Sequence, residues 1–196
     1  LGLGAITTSA ANQVIHLADR DVPHDINQRL ELSARVGCAT PQGLSGGLSF
    51  ATSELAPADL GYMQTHFDAT YTSRTRTRYG LDAQYAKGPW VGQLEVYLGK
   101  TSGLDHNAWC VLAGQTFPKG QKLFVRYGAA NNDITTTADQ LTWDTSQLMV
   151  SAVQPVKWAG GPVWFQVEYE RNDEKPPAAT PEVKNDLFFA ELFMGF

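Results

Sequence analysis

Three arginines alternate with hydroxyl residues in the segment Ser73-Arg74-Thr75-Arg76-Thr77-Arg78. Residues two apart on a β-strand project from the same face, so this spacing predicts that Arg74, Arg76 and Arg78 form a column. Guanidinium groups stay charged and offer several N–H donors to an anion. A column of them in a water-filled passage would give an anion successive sites to step between.

Two structural interpretations of the same arginines stay open beside anion conduction. In one, the guanidiniums pair with carboxylates such as Asp68, Asp82 or Glu95 and brace the wall of the fold. In the other, they lie near an outer rim and contact the phosphates of lipopolysaccharide. The arginine spacing alone does not choose among the three.

Further charged side chains fall on the same predicted face. The basic ones are Arg29, Arg35, Lys122 and Arg126, and the acidic and amide ones are Glu31, Gln93, Glu95, Gln166, Glu168 and Glu170. A lining that carries both signs is typical of a weakly selective pore. It argues against strict selectivity for one anion.

The chain lacks the patterns that indicate catalysis or a bound metal. It has no Gly-x-Ser-x-Gly elbow and no His-Glu-x-x-His motif. Cys38 and Cys110 make no ligand cluster, so we expect two isolated thiols. The sequence predicts no enzyme, no cofactor and no metal site.

Composition limits the class of protein. The 196 residues carry a formal charge of −5, which gives no indication of a nucleic-acid partner, and the length suits a single domain over residues 1–196. No apolar run approaches the ~20 residues of a membrane helix. A strand that shows lipid only alternate residues keeps a low mean hydropathy, so a membrane barrel is not excluded.

Period-2 alternation of apolar and polar residues runs through most of the chain and predicts strands. We expect about ten strands, an even number as in outer-membrane barrels. The fourth is expected to be one tall strand, because its odd-numbered positions keep one phase from Phe67 to Tyr85; a hairpin with a two-residue turn near Ser73 is the alternative. The predicted strands are 2–15, 28–38, 44–53, 64–86, 90–100, 107–117, 122–131, 146–158, 162–172 and 186–196.

Short and long connections alternate in the second half of the chain. The short ones contain Gly or Pro, at 86–89, 118–121 and 158–162, and the longer polar ones cover 101–107, 131–146 and 172–185. Short turns on one rim and long loops on the other are typical of an antiparallel, up-and-down transmembrane β-barrel.

Three features favour a membrane barrel over a soluble one. Charges such as Arg35 and Asp82 occur deep within predicted strands, where a wet lumen would accommodate them. Aromatic residues, among them Trp90 and Trp158, gather near strand ends, as in interfacial girdles. The final strand alternates apolar residues through Leu192 and Met194 to the last residue, Phe196.

One stretch resembles a known family. Arg78-Tyr79-Gly80-Leu81-Asp82-Ala83-Gln84-Tyr85-Ala86-Lys87-Gly88-Pro89-Trp90, followed by Gln93-Leu94-Glu95-Val96-Tyr97, is similar to the phosphate-selective porin O/P family, as is Val125-Arg126-Tyr127-Gly128. The resemblance covers residues 64–196. It implies a ladder of basic side chains at Arg74, Arg76 and Arg78, and an assembly signal that contains Leu192, Met194 and Phe196.

The size of the chain departs from that family, whose barrels have about sixteen strands. The chain is therefore the C-terminal part of a longer porin, a compact relative, or a barrel completed by another chain. A barrel of about ten strands alone would have a narrow interior filled by side chains.

Together these features predict an outer-membrane porin of Gram-negative bacteria, a passive diffusion channel for small hydrophilic solutes, with anionic solutes as one option. The expected partners are outer-membrane lipid, lipopolysaccharide and small solutes, with a homotrimer or a partner protein as further options. One alternative is a small structural barrel that anchors or ensheathes a partner protein. The other, less favoured, is an outer-membrane barrel enzyme.

Overall fold

A computed structural model describes residues 31–132, 144–157, 161–176 and 185–194, together with the backbone of two short N-terminal strands. These residues form eleven strands and one helix. In chain order they are β1 Leu3–Thr8, β2 Ile15–Arg20, β3 Leu32–Ala39, β4 Leu44–Glu54, α1 Pro57–His66, β5 Thr75–Lys87, β6 Trp90–Thr101, β7 Leu104–Thr116, β8 Lys122–Asn132, β9 Asp144–Val156, β10 Val163–Lys175 and β11 Leu187–Met194.

Strands β3 to β11 form one nine-stranded sheet in which each strand pairs with its neighbour in sequence. Every pairing is antiparallel, so the predicted all-β, up-and-down antiparallel arrangement is confirmed. β3 and β11 are the two edges, and among the described residues the sheet is open rather than closed on itself. β1 and β2 pair with each other in a separate sheet.

Two tight turns show how local chemistry sets the hairpins. β5 and β6 are joined by Gly88-Pro89, and Gly88 adopts a φ of 59°, which a residue without a Cβ reaches without a steric clash. β6 and β7 are joined by Ser102-Gly103 alone. The prediction of a long polar loop over 101–107 is therefore wrong, because the strands continue to Thr101 and resume at Leu104.

The tall strand predicted over 64–86 is also wrong in its first half. Pro57 opens α1, Asp59 lies in its first turn and His66 in its last, an arrangement that suits both the free N–H groups and the helix dipole. β5 begins only at Thr75. Between them the Asp68 carboxylate accepts the backbone N–H of Thr70 at 2.8 Å, which turns the chain.

The first predicted strand, 2–15, is wrong as a single element, since this region holds the two strands of the β1–β2 hairpin. The other predicted strands correspond to observed ones with shifted ends. The described part of β3 starts at Leu32, and residues 28–30 of that prediction lie outside the described residues; β10 extends to Lys175 rather than to residue 172.

Among the described residues, apolar side chains form a buried cluster beneath α1, at the loop end of the sheet. Leu55, Met63 and Leu104 are its centre, and Phe67 and Tyr71 pack against it. The odd-phase alternation of Phe67 and Tyr71 thus serves this packing rather than a strand. Apart from Leu104, the first residue of β7, the large apolar residues of the sheet are not part of this cluster.

Candidate functional site

The strand register divides the sheet into two chemically different faces. Directly paired residues of an antiparallel sheet share a face, so the register fixes which side chains lie together. The first, which we call the apolar face, carries Val36, Leu48, Tyr79, Leu81, Leu94, Leu98, Trp109, Val111, Val125, Tyr127, Val150, Phe165, Tyr169 and Leu192.

These apolar side chains are exposed instead of being packed into a core. Leu48 is 59%, Tyr79 54%, Leu98 53% and Leu192 55% exposed. Exposure runs from the β3 edge to the β11 edge and includes strands in the middle of the sheet, such as β7 and β8. The sheet therefore presents one broad, exposed apolar surface.

The opposite surface, the polar face, carries the charged residues from the middle of the strands. By the same register it holds Arg35, Arg76, Arg78, Asp82, Gln93, Glu95, Tyr97, His106, Lys122, Arg126, Gln147, Glu168, Glu170, Asn172 and Glu191. Five of the predicted basic side chains, Arg35, Arg76, Arg78, Lys122 and Arg126, thus share one face, as the sequence predicts. Lys122 is exposed there, at the start of β8.

Two arginines of the polar face are held by carboxylates two strands away. Arg35 Nη2 donates to both carboxylate oxygens of Asp82, at 2.8 and 2.7 Å. Arg78 Nη2 donates to Glu31 Oε2 at 2.7 Å, in a pair whose side chains are about one-fifth exposed. The sequence pointed to Asp82 as a brace, but its partner is Arg35; Glu31 was missed as the partner of Arg78.

A third arginine belongs to an amide network on β8, β9 and β10. Arg126 donates to the side-chain oxygen of Gln147. The Gln147 amide donates in turn to Asn172 Oδ1 at 2.9 Å and to Glu170 Oε2 at 3.3 Å. This network links Arg126 of β8 to Glu170 of β10 through Gln147 of β9.

The other two arginines of the predicted column lie at α1. Arg74 precedes β5, and its Nε donates to the Leu55 carbonyl at 2.7 Å, so it does not continue the column. Arg76 is in β5 but is only 5% exposed. Arg76 and Arg78 thus share the polar face of β5, where Arg76 is buried and Arg78 is in an ion pair, while Arg74 lies before the strand.

An aromatic and imidazole pair continues the polar face beside Arg78. The rings of Tyr97 and His106 stack at 5.5 Å, and Thr101 Oγ1 lies 3.0 Å from His106 Nε2. The His106 ring covers Gly99, where a Cβ would come within 2.1 Å of it. This pair was not predicted from the sequence, because the Gly99–His106 pairing depends on the turn at Ser102-Gly103, where a long loop was expected.

Burial and hydrogen bonding shift the pKa values of two carboxyl groups, Asp59 in α1 and Asp68 just after it, in opposite directions. Desolvation raises the pKa of Asp59, although a backbone hydrogen bond at Ala56 and the positive charge of Arg76 oppose the shift. The Thr70 backbone N–H lowers the pKa of Asp68, since it stabilises the ionised carboxylate.

The remaining predictions concern the cysteines, metal ligands and membrane helices. Cys38 and Cys110 are free thiols, in agreement with the prediction. In the described part of the chain no group of three or more potential ligands is arranged for a metal ion. Helices in the same part of the chain lack the length and apolar character needed to span a membrane. Arg29 and Phe196 lie outside the described residues.

The end of the sheet carries the rest of the predicted assembly signal. Leu192 and Met194 lie on the apolar face of β11 and are about half exposed. Comparison of the chain with protein-family models, curated proteins and solved structures finds no match, so the porin resemblance stays a prediction.

Proposed function

We propose that this sheet is the wall of an outer-membrane channel that carries small hydrophilic solutes passively. One observation carries the proposal: the face rich in Leu, Val, Tyr and Trp is exposed across the sheet, while the opposite face holds the Arg35–Asp82 and Arg78–Glu31 ion pairs. Water is a poor solvent for such a surface, because leaving one large apolar side chain exposed costs about 1.5–3 kcal/mol. The hydrocarbon of a membrane, in contrast, solvates such an apolar surface well.

The height of the apolar surface fits a bilayer. On β6 the apolar face runs from Trp90 to Leu98, about 26 Å along the strand, or about 20 Å of depth at a tilt of ~40°. The next outward position is Lys100, which pairs with Asp105 at 3.1 Å. On β10 the same face ends at Tyr169 and continues with Arg171 and Asp173, paired at 3.0 Å. Charged residues thus border a band close to the ~25 Å of outer-membrane barrels.

The polar face supports passive transport through a wet lumen. Arg35, Asp82, Arg78 and Glu31 would be expensive to bury in a dry core, whereas ion pairs facing water are inexpensive. The lining mixes both signs, so selectivity would be weak. Arg78 and Arg126 each place a guanidinium within a strand of the polar face, so they are candidates for any preference for anions.

A plugged barrel that anchors or ensheathes a partner protein is the second candidate. It is favoured by α1, which covers the loop end of the polar face through Met63 on Leu104. A fully open channel and a plug differ in one measurable property, which is ion conductance. A barrel enzyme is the third, and we propose that the protein has no catalytic activity.

Conductance tests the proposal. We expect the protein, reconstituted in a planar bilayer, to give stepwise ionic currents, and a salt gradient to reveal a weak preference for anions. Arg78→Gln and Arg126→Gln should each reduce this preference. Lys100→Gln is the matched control, since it removes the same charge from the apolar face. Absence of any current from membrane-inserted protein would favour the plugged barrel.

Membrane insertion is tested separately. Trp90 and Trp109 lie exposed on the apolar face. Lipids with bromine atoms in their acyl chains should quench the fluorescence of both, and a Trp90→Phe, Trp109→Phe variant should lose most of this quenching. If the brominated lipids leave the fluorescence unchanged, the apolar face does not meet hydrocarbon and the proposal is wrong.

A further inference from the structure

The middle of the polar face has a depression between β3 and β6, which we call the pit. Its floor is made by Ser49 of β4 and Gly80 of β5, which are direct partners in the register. Arg35 and Tyr97 take the next positions on either side of this row, so two small residues lie between two tall ones. Two adjoining cavities of about 500 and 320 Å³ share these four residues. A space of this size accommodates a small organic ligand.

Gly80 keeps the floor of the pit low. A Cβ at this position would come within 2.4 Å of Ser49 Oγ and would occupy the space above the strand. Gly80 does not have a positive φ, so the backbone would accept another residue there. The missing side chain is therefore required by the space of the pit and not by the conformation of β5.

Two guanidiniums that border the pit have unused donors. Arg35 donates to Asp82 through Nη2 alone. Arg78 likewise donates to Glu31 only through Nη2. In the part of the chain that the structure describes, the Nε and Nη1 groups of both arginines have no acceptor. A ligand in the pit can therefore accept hydrogen bonds from both of them.

Carboxylates supply the matching acceptors. Arg78 and Asp82 lie two residues before and after Gly80 on the same face of β5, so a donor and an acceptor border the pit at opposite ends. Glu95 also lines the larger cavity. Its carboxylate accepts the Gln93 amide at 2.6 Å and retains further lone pairs for a ligand.

The charges around the pit give a simple anion no net attraction. Arg35 is paired with Asp82, and Arg78 is paired with Glu31. Glu95 adds one further negative charge at the larger cavity. A neutral ligand whose groups both donate and accept hydrogen bonds fits this pattern better, and hydroxyl groups do both.

Tyr97 adds an aromatic surface to this polar lining. Its ring is stacked against His106 at 5.5 Å and borders both cavities. The face of an aromatic ring is partly negative and attracts the C–H groups of a flat ligand. A sugar ring combines a C–H face with a rim of hydroxyl groups, whereas inorganic anions and acyclic polyols lack such a face.

We propose that the pit binds a neutral saccharide of one or two rings. The Tyr97 side chain packs against a sugar ring, and Arg35, Arg78 and Glu95 bond to its hydroxyl groups. The inference rests on the proposed function, since a pit in a channel wall meets the solutes that enter, and it names a class among them. A weak site of this kind attracts a solute without retaining it.

Binding is measured on the purified full chain in detergent micelles, as NMR saturation transfer from the protein to ligand protons. The probes are the disaccharides maltose and cellobiose and the acyclic polyol sorbitol. We expect at least one disaccharide to bind, and to bind about fivefold more tightly than sorbitol, because sorbitol has no ring to place on Tyr97. If neither disaccharide binds, or if an equal concentration of phosphate displaces the sugar, the proposal is wrong.

Cys110 reports whether the sugar lies in the pit. This thiol lines the larger cavity, while Cys38 lies on the apolar face. In a Cys38→Ser protein, a saturating concentration of the bound disaccharide should slow the reaction of Cys110 with methyl methanethiosulfonate at least threefold. Binding without protection of Cys110 would place the sugar elsewhere and overturn the proposal.

Substitutions in the pit separate its two features. Tyr97→Leu should weaken disaccharide binding about fivefold, and Tyr97→Phe, which keeps the ring, should retain it. Gly80→Val fills the floor and should weaken binding at least tenfold. Gly92→Val is the matched control, because Gly92 lies on the apolar face and the nearest atom to its Cβ is 3.8 Å away. Unchanged binding in Tyr97→Leu would overturn the proposal even if Gly80→Val did not fold.

The pit and the channel fail separately, because saturation transfer needs no current. A protein that conducts ions but binds neither disaccharide refutes the saccharide site and leaves the channel in place. A protein that binds a disaccharide with protection of Cys110 but passes no current supports the site and refutes the open channel.

Discussion

Arg35 of β3 crosses the backbone of β4 and holds the carboxylate of Asp82 in β5, with both oxygens within 2.8 Å of one nitrogen. The crossing point is Gly47, whose missing side chain leaves the path open. A Cβ there would lie 2.9 Å from Arg35 Nη2 and 2.9 Å from the Val36 carbonyl oxygen. One glycine thus allows a charge pair to connect an edge strand to the second strand inside the sheet.

Gly47→Ala should loosen this edge. The added methyl group must displace the guanidinium and strain the β3–β4 pairing, so we expect the free energy of unfolding to fall by about 1–3 kcal/mol. Reversible urea unfolding in lipid vesicles measures it. Gly92→Ala is the matched control, because the nearest atoms to its Cβ are 3.8 and 3.9 Å away. Equal effects of the two substitutions would contradict the role of Gly47.

A lysine scan of two adjacent residues in β6 distinguishes the faces of the sheet. Leu94 lies on the apolar face and Gln93 on the polar face beside Glu95. We expect Leu94→Lys to reduce the stability of the folded state in vesicles by about 2–4 kcal/mol, the cost of a cation at the membrane midplane. Gln93→Lys should be near neutral, since the new charge faces Glu95. Similar effects at both positions would show that neither face meets lipid.

Glu31→Gln should strengthen anion preference. The substitution leaves the Arg78 guanidinium on the polar face without its carboxylate partner, which lies 2.7 Å away. We therefore expect the reversal potential in a salt gradient to shift toward the equilibrium potential of the anion. Asp105→Asn changes the charge equally on the apolar face and should leave the potential unchanged. A shift in the control but not in Glu31→Gln would assign selectivity to the rim.

Much of the sheet could be predicted from the sequence because strands and turns are indicated by residues close together in the chain. Alternation between Leu81 and Asp82, or Val167 and Glu168, gives both strand and face, and Gly88-Pro89 gives a turn. The same periodicity failed at Phe67 and Tyr71, since an alternating loop and an alternating strand share one pattern.

The site was less accessible to sequence reasoning because its contacts are long-range. Arg35 and Asp82 are 47 residues apart, as are Glu31 and Arg78. Which arginine takes which carboxylate depends on register and on Gly47, neither of which the spacing of the arginines encodes. The proximity of α1 to Arg76 depends on the tertiary packing of Met63 on Leu104 in the same way.

The stability of α1 should fall as pH rises through the titration of Asp59. Its pKa is raised above the usual value of about 3.9, so the folded segment holds the proton more tightly than the unfolded one. The protonated Asp59 carboxyl therefore contributes to the stability of α1 at pH values below about 3.9, and this contribution is lost as the pH rises through the raised pKa. Amide exchange, expressed as protection factors for α1 residues, measures it. Asp59→Asn should remove this step.

Asp68 supplies the contrasting control. Its lowered pKa gives a contribution that is present above the usual value and lost as pH falls through the folded pKa, which is the opposite sign. Asp68→Asn should therefore leave the Asp59 step in place. Protection of α1 that rises with pH across that window would contradict the shift assigned to Asp59.

Met63→Ala tests whether α1 narrows the passage. Met63 is 3% exposed and packs with Leu55 and Leu104 where α1 covers the loop end of the polar face. Removing its side chain should destabilise this contact by about 2 kcal/mol, the lower end for a core Met-to-Ala change, without altering strand pairing. If α1 restricts ion flow, a looser helix should raise the single-channel conductance and its noise. Thr65→Ala changes an exposed residue of the same helix and should leave the conductance and its noise unchanged. Unchanged conductance in a Met63→Ala protein whose α1 amides have lost protection would show that the helix lies clear of the ion path.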